Sequence, residues 1–192
     1  MTPNKIAVTG GMGSGKSAVL AFIRELGFPA FSCDEFNRGL WQEEGYLQTL
    51  KDAFPDCCTD GVPDKKKIAA RVFSDEASLE KLNALAHPRI LHAMQEAMAP
   101  HPVAFCEVPL LFESGTAAMF DAVLDVRRDK EARIASVIRR DGLTREQALA
   151  RMARQVDHES LPADGCIVLS NDAGMEDLRK KTADALRSLG LL

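Results

Sequence analysis

Four glycines, two serines and a lysine are crowded into one stretch, Gly10-Gly11-Met12-Gly13-Ser14-Gly15-Lys16-Ser17, which fits the spacing GxxxxGK[ST]. Glycine at this density lets the backbone adopt φ > 0 and turn successive N–H groups toward one point. A nest of N–H groups binds an anion, and a helix opening at its end adds partial positive charge. On this reading Gly11, Met12, Gly13, Ser14, Gly15, Lys16, Ser17 and Ala18 cradle the phosphates of a nucleotide. Lys16 reaches the β- and γ-phosphates, Ser17 offers its hydroxyl to Mg²⁺, and Ala18 contributes backbone only. The competing reading is a tight turn that holds these residue types by chance. The flanks favour the cradle, because the apolar run Ile6 to Thr9 precedes it and Val19, Phe22, Ile23 and Leu26 follow on one helical face, closed by Gly27.

A phosphate cradle serves switches, motors and kinases alike, so the choice rests on other residues. The DxxG and NKxD elements of a GTPase switch are missing, and the one NK pair, Asn4-Lys5, precedes the first strand. The third apolar run ends Glu107-Val108-Pro109, a poor fit to the Asp-Glu of large ATPase motors. A small-molecule kinase needs a carboxylate to take the acceptor hydroxyl's proton or to position Mg²⁺. Asp34 follows the second strand, where an open parallel sheet gathers its ligands, and is the candidate base. It also suits the N-cap of a helix over 35–40, and the two roles are compatible. Arg38, one turn later, could bind an anionic substrate. Arginines from Arg133 to Arg154 suit a mobile lid: Arg133 and Arg140 share one face of a first helix, and Arg151 and Gln155 one face of a second. A solvated helix face is the alternative for such charges.

These residues need a frame. The runs 6–9, 28–32, 103–108, 122–126 and 166–170 read as strands, several of them apolar throughout, as in a parallel sheet covered on both faces. Helical patterns between them imply right-handed crossovers and a doubly wound α/β sheet. About 70 residues separate the second and third strands, far more than one crossover requires. That insertion is helical, with Leu79, Leu82, Leu85 and Ala86 on a stripe and a break expected at His87-Pro88. A second interruption runs from Arg127 to about Gln155, with Asp141-Gly142 between two helices and a capping box, Thr144 with Gln147, opening the later one. The expected organisation is a single domain over 1–192 with an embedded helical subdomain at 33–100 and a lid at 127–158.

Composition narrows the setting. The chain has 192 residues, is 46% hydrophobic and carries a formal charge of −4, enough to bury a core and no general attraction for nucleic acid or anionic membrane. Five cysteines without a CxxC pair argue against a disulfide framework or a zinc site. No apolar run approaches membrane-spanning length, and the start MTPNK lacks a secretion signal's apolar segment, so the cytoplasm is the expected location.

The segments TGGMGSGKS, CDEFNRGL, DKKKIAARVF, LNALAHPRI, VPLLFES, RRDGLTRE with RMARQ, and LSND, in that order, resemble dephospho-CoA kinase from about Ile6 to the final helix. The resemblance implies a P-loop fold of the nucleoside-monophosphate-kinase type, with a five-stranded parallel core, a helical CoA-binding subdomain and a lid. It implies phosphorylation by ATP of the ribose 3′-hydroxyl of dephospho-CoA, giving CoA and ADP. It further implies that Asp34 is the base, that Arg140 and Asn171 contact ATP, and that Arg38, His87, Pro109, Leu110, Leu111 and Glu113 line the acceptor site. Lys65, Lys66 and Lys67 open a helix behind Asp64, where the macrodipole disfavours cations, and an acceptor pyrophosphate at Lys65 would offset that cost. Solvation of an exposed surface is the other reading of these lysines. The chain departs from the family pattern at Ser32-Cys33-Asp34 in place of Asp-Ala-Asp, at Arg133 and Ser136 in place of Gln and Arg, at Glu107 in place of Asp, at Lys65 in place of Arg and at Ala18 in place of Thr. The alternatives carried forward are a kinase of another small acceptor, such as a nucleoside monophosphate, and a nucleotide-dependent switch.

Overall fold

The computed structural model of the chain describes residues 4–161 and 165–192, so the first three residues of the polar start lie outside it. The strands in chain order are β1 (Lys5–Thr9), β2 (Ala30–Ser32), β3 (Cys58–Thr59), β4 (Val62–Pro63), β5 (Ala104–Glu107), β6 (Ala122–Arg127) and β7 (Ile167–Ser170). The helices are α1 (Lys16–Glu25), α2 (Cys33–Leu40), α3 (Glu44–Ala53), α4 (Lys65–Ser74), α5 (Glu76–Met98), α6 (Lys130–Asp141), α7 (Arg145–Met152) and α8 (Met175–Ser188). The chain forms two compact units, residues 33–97 and the remainder.

The larger unit holds a five-stranded parallel sheet in the order β2-β5-β1-β6-β7. Ile6, Ala7 and Val8 in β1, Phe105 and Cys106 in β5, and Leu124 and Val126 in β6 are wholly buried, consecutive side chains included. This follows from helices covering both faces, which leaves no solvated side to reward alternation. Val19, Leu20 and Ile23 of α1 and Leu178, Ala185 and Leu186 of α8 complete that core. The doubly wound P-loop fold is therefore the observed one, with β2, β5 and β7 shorter than the apolar runs suggested and β1 and β6 each one residue longer. β2 begins only at Ala30, since Pro29 has no N–H for the ladder, although its carbonyl accepts from Phe105 N at 2.9 Å. Parallel pairing aligns the carboxyl ends of the strands: Val8 and Ser32 both lie opposite Glu107, and Thr9 lies opposite Asp125.

The smaller unit is helical apart from the β3-β4 hairpin. Leu40, Tyr46, Leu50, Phe54, Cys57, Ile68 and Ala86 form its core, with Trp41 set edge-on to Tyr46. Asp64 caps α4 as expected, accepting from the backbone N–H of Lys66 and Lys67. Two expectations are corrected here. The helix does not break at His87-Pro88, because α5 runs through Pro88 without interruption. The lost N–H costs one helical bond, while Leu82, Leu85 and Ala86 before the proline and Ile90 after it anchor the helix to the same core. Asp34 is not an N-cap, because α2 starts directly from β2 at Cys33 and puts Asp34 inside the first turn, where its charge suits the helix dipole.

Candidate active site

The glycine loop leaves the carboxyl end of β1 and runs into α1, whose N-cap Gly15 has φ +107° and no side-chain cap. A Cβ at Gly15 would collide with the Asn171 amide, so glycine is required there by both conformation and space. Lys16 is 8% exposed and donates from Nζ to the carbonyl oxygens of Gly10 at 2.7 Å and Gly11 at 3.1 Å. Its ammonium is thus held at the first glycines of the loop, where a terminal phosphate would sit in a P-loop. Ser17 Oγ stands 3.4 Å from each carboxylate oxygen of Glu107, which the β1-β5 register brings alongside.

Asn171, at the end of β7, donates from Nδ2 to Ser14 O at 2.7 Å and from its backbone N–H to Arg127 O at 2.8 Å. These two bonds tie the loop to the end of β7. Asn171→Ala leaves the buried Ser14 carbonyl without this donor, and the expected result is a stability loss of about 1–3 kcal/mol, checked by urea unfolding.

Residues 127–158 fold over the same loop. Ile134, Val137, Ala148 and Met152 form a small core with Met12 packed against it. The turn at Gly142, φ +65°, and the Thr144-Gln147 capping box are as expected. Gln155 is not on the second helix, because α7 ends at Met152; its Oε1 instead accepts from Met12 N at 2.8 Å. Arg133 and Arg140 lie on one helix but in different surroundings. Arg133 is buried at the loop, whereas Arg140 is exposed and makes a bidentate pair with Asp141 at 2.7 and 3.0 Å, a bond that holds the Asp141 carboxyl below its usual range. Arg128 Nη1 donates to Ser136 Oγ at 2.8 Å and lies 3.4 Å from Gly13 O.

The segment Pro109–Glu113 is a turn after β5: Leu111 is fully buried, Leu110 is partly exposed, and Glu113 accepts from Val156 N at 2.9 Å. The remaining candidates belong to the helical unit. Asp34 and Arg38 are exposed on α2, Lys65 places Nζ 5.3 Å from the centre of the Trp41 ring, and His87 is half-buried on α5.

Sequence reasoning missed several residues. It noted Glu107 at the end of the third apolar run and as a departure from the family pattern, and did not place it beside Ser17, 90 positions away. It also missed a buried cluster at the end of β6, in which Asp125 accepts from Arg127 Nε at 2.8 Å and faces His158 Nδ1 at 2.7 Å, with the Phe112 ring 5.6 Å from the imidazole. Nothing in the local stretch around His158 signals this. Burial pushes the Asp125 carboxyl up, but the hydrogen bonds and charges of His158 and Arg127 outweigh it and leave a net lowering. A carboxyl lowered in the folded state stabilises the fold above its unfolded value of about 3.9 and loses that contribution as pH falls through the folded value. Asp125→Asn is therefore expected to cost about 3–5 kcal/mol at pH 7, with the difference from the parent shrinking only as pH falls below about 4 toward the lowered folded value, checked by urea unfolding at pH 7 and across that acid range.

The profile of the dephospho-CoA kinase family (CoaE) matches residues 4–177. The chain belongs to the dephospho-CoA kinase family. It is 39% identical to the dephospho-CoA kinase of Deinococcus radiodurans over 97% of its own length and 93% of the relative's. The crystal structure of TT1252 from Thermus thermophilus superposes with a TM-score of 0.87 at 34% identity, covering 98% of each chain. A dephospho-CoA kinase structure from Campylobacter jejuni, at 24% identity, shares the fold with a TM-score of 0.70 over 97% of this chain and 96% of that one. Within the dephospho-CoA kinase family, then, the glycine loop, Lys16, Ser17 and Glu107 of this member stand at one end of one sheet.

Proposed function

We propose that this member of the dephospho-CoA kinase family transfers the γ-phosphoryl group of ATP to the ribose 3′-hydroxyl of dephospho-CoA, giving CoA and ADP. Family membership over nearly the whole chain carries this reading. The loop geometry supports it, since Lys16 is already held at Gly10 and Gly11.

In the proposed reaction the acceptor oxygen attacks the γ-phosphorus, a new P–O bond forms, and the bond to the β,γ-bridging oxygen breaks with its electron pair leaving on ADP. Asp34 accepts the hydroxyl proton. Backbone N–H groups from Gly11 to Ala18 and the Lys16 ammonium hold the phosphates and offset charge that builds toward the bridging oxygen. Arg140 adds a lid contact to the phosphates, and Asn171 serves the nucleotide by holding the loop. Ser17 and Glu107 offer hard oxygen donors, the ligand type that Mg²⁺ takes, and would hold the ion. When bound, the ion neutralises phosphate charge. Arg38, Lys65, His87 and the Pro109, Leu110, Leu111 and Glu113 turn are assigned to the acceptor, with Lys65 and Arg38 taking its pyrophosphate. We place the enzyme in the cytoplasm; among the described residues no helix is long and apolar enough to cross a membrane.

The test mixes the purified protein with ATP, Mg²⁺ and dephospho-CoA and follows CoA by mass and ADP by a coupled assay. Equimolar CoA and ADP are expected, with ADP forming only when acceptor is present. Faster transfer to a nucleoside monophosphate would reassign the acceptor, and tight ATP binding without transfer to any alcohol would point to a switch.

A further inference from the structure

The Arg133 side chain is 6% exposed, and its guanidinium lies so close to Gly11 that a Cβ there would collide with Nη1. The backbone carbonyl of Arg133 backs onto Gly13, where a Cβ would stand 2.7 Å from it. The first turns of α6 and the first half of the glycine loop are thus packed backbone to backbone, with one cationic side chain enclosed between them. Among the described residues this side chain has no hydrogen-bond or ion-pair partner, and its Nε is buried and unsatisfied. Taking a guanidinium out of water without a partner carries a desolvation cost. An uncompensated buried charge is costly, and an anion bound from outside would offset that cost. Lys16 Nζ rests on the carbonyls of Gly10 and Gly11, so two cations converge on the same glycines. The neighbouring Arg128 bonds Ser136 and lies near Gly13 O, although its Nε is also buried and unsatisfied, so of the two arginines at the loop Arg133 is the one whose guanidinium makes no hydrogen bond among the described residues.

We infer that Arg133 is a polyphosphate ligand, binding oxygens of the terminal phosphates of the nucleoside triphosphate beside Lys16 and making the loop prefer triphosphate to monophosphate. The inference rests on the nucleotide reading of the loop and goes beyond it in naming the residue that sets the preference. A planar fork of donors suits two oxygens of a phosphate chain, and an enclosed site strengthens the contact because water competes poorly. The base of the nucleotide takes no part in this contact, so inorganic tripolyphosphate should report it as well as ATP does.

The test measures calorimetric affinities of the parent, Arg133→Met and Arg133→Lys for ATP, AMP and inorganic tripolyphosphate, together with ligand-free melting temperatures. In Arg133→Met the affinities for ATP and tripolyphosphate are expected to fall roughly 10- to 100-fold, the range for loss of a charge-assisted pair, while AMP affinity is unchanged. Arg133→Lys should recover part of the loss. The ligand-free melting temperature of Arg133→Met should equal or exceed the parent's, because an uncompensated buried charge has been removed. A side chain that only braces the helix would lower that temperature and weaken all three ligands alike, and this outcome overturns the inference. Failure of Arg133→Met to fold overturns it too, since folding would then depend on the guanidinium. Tight ATP binding by the parent with the same affinity in Arg133→Met removes this inference alone, whereas a parent that binds neither ATP nor tripolyphosphate removes the nucleotide reading with it.

Discussion

Asp34→Asn is expected to lower kcat roughly 10²- to 10⁴-fold, the contribution of a positioned general base in the proposed transfer, while the Kd for ATP stays close to that of the parent. Asparagine keeps the size of the side chain and removes both its charge and its ability to take a proton. Asp34 is exposed in the first turn of α2 and belongs to no part of the buried core, so the substitution leaves the fold in place. The helix dipole loses a favourable charge there, a stability change of about 0.3–1 kcal/mol. The measurement is single-turnover CoA formation with ATP saturating, alongside calorimetric ATP binding. Loss of both binding and turnover would mean that Asp34 supports the nucleotide, and unchanged turnover would remove it as base. This chain has Ser32 and Cys33 ahead of Asp34 where the family pattern has a second acid, so no neighbouring carboxylate in that tripeptide can stand in for the lost one.

Lys16→Met lowers kcat/KM for ATP by about 10²- to 10³-fold, the usual loss when one electrostatic donor to the transition state is removed. In the proposed transfer its charge would face the oxygen that gains charge as the β,γ bond breaks, so kcat should fall as well as affinity. Methionine fills most of the volume, but the Gly10 and Gly11 carbonyls lose the ammonium that now bridges them at 2.7 and 3.1 Å. Loop disorder would give the same kinetic loss by another route. A far-ultraviolet spectrum and melting temperature close to the parent's, with activity still lost, assign the effect to the charge. Full activity in Lys16→Met would refute the cradle as the seat of transfer.

The glycine loop, the five parallel strands, the Asp64 cap and the Thr144-Gln147 capping box were legible because each is written in a few consecutive residues whose backbone needs are local. The same local reasoning failed at Pro88, where packing on both sides outweighs one lost hydrogen bond, and at Asp34, where the strand passes into α2 without room for a cap. It failed again at Gln155, since the end of α7 depends on how the chain turns back to meet Met12.

From residue types and spacing alone came the chemistry: an anion nest, a lysine at its end and a hydroxyl for a metal. Tertiary structure alone decided what stands around that nest. Glu107 reaches Ser17 because β5 is inserted beside β1, Asn171 reaches Ser14 across 157 positions because β7 ends at the same edge, and Arg133 is enclosed at Gly11 because α6 packs on the loop. Local spacing governs which hydrogen bonds a short stretch can make with itself, whereas these partners are chosen by strand order and by the burial of surfaces far apart in the chain.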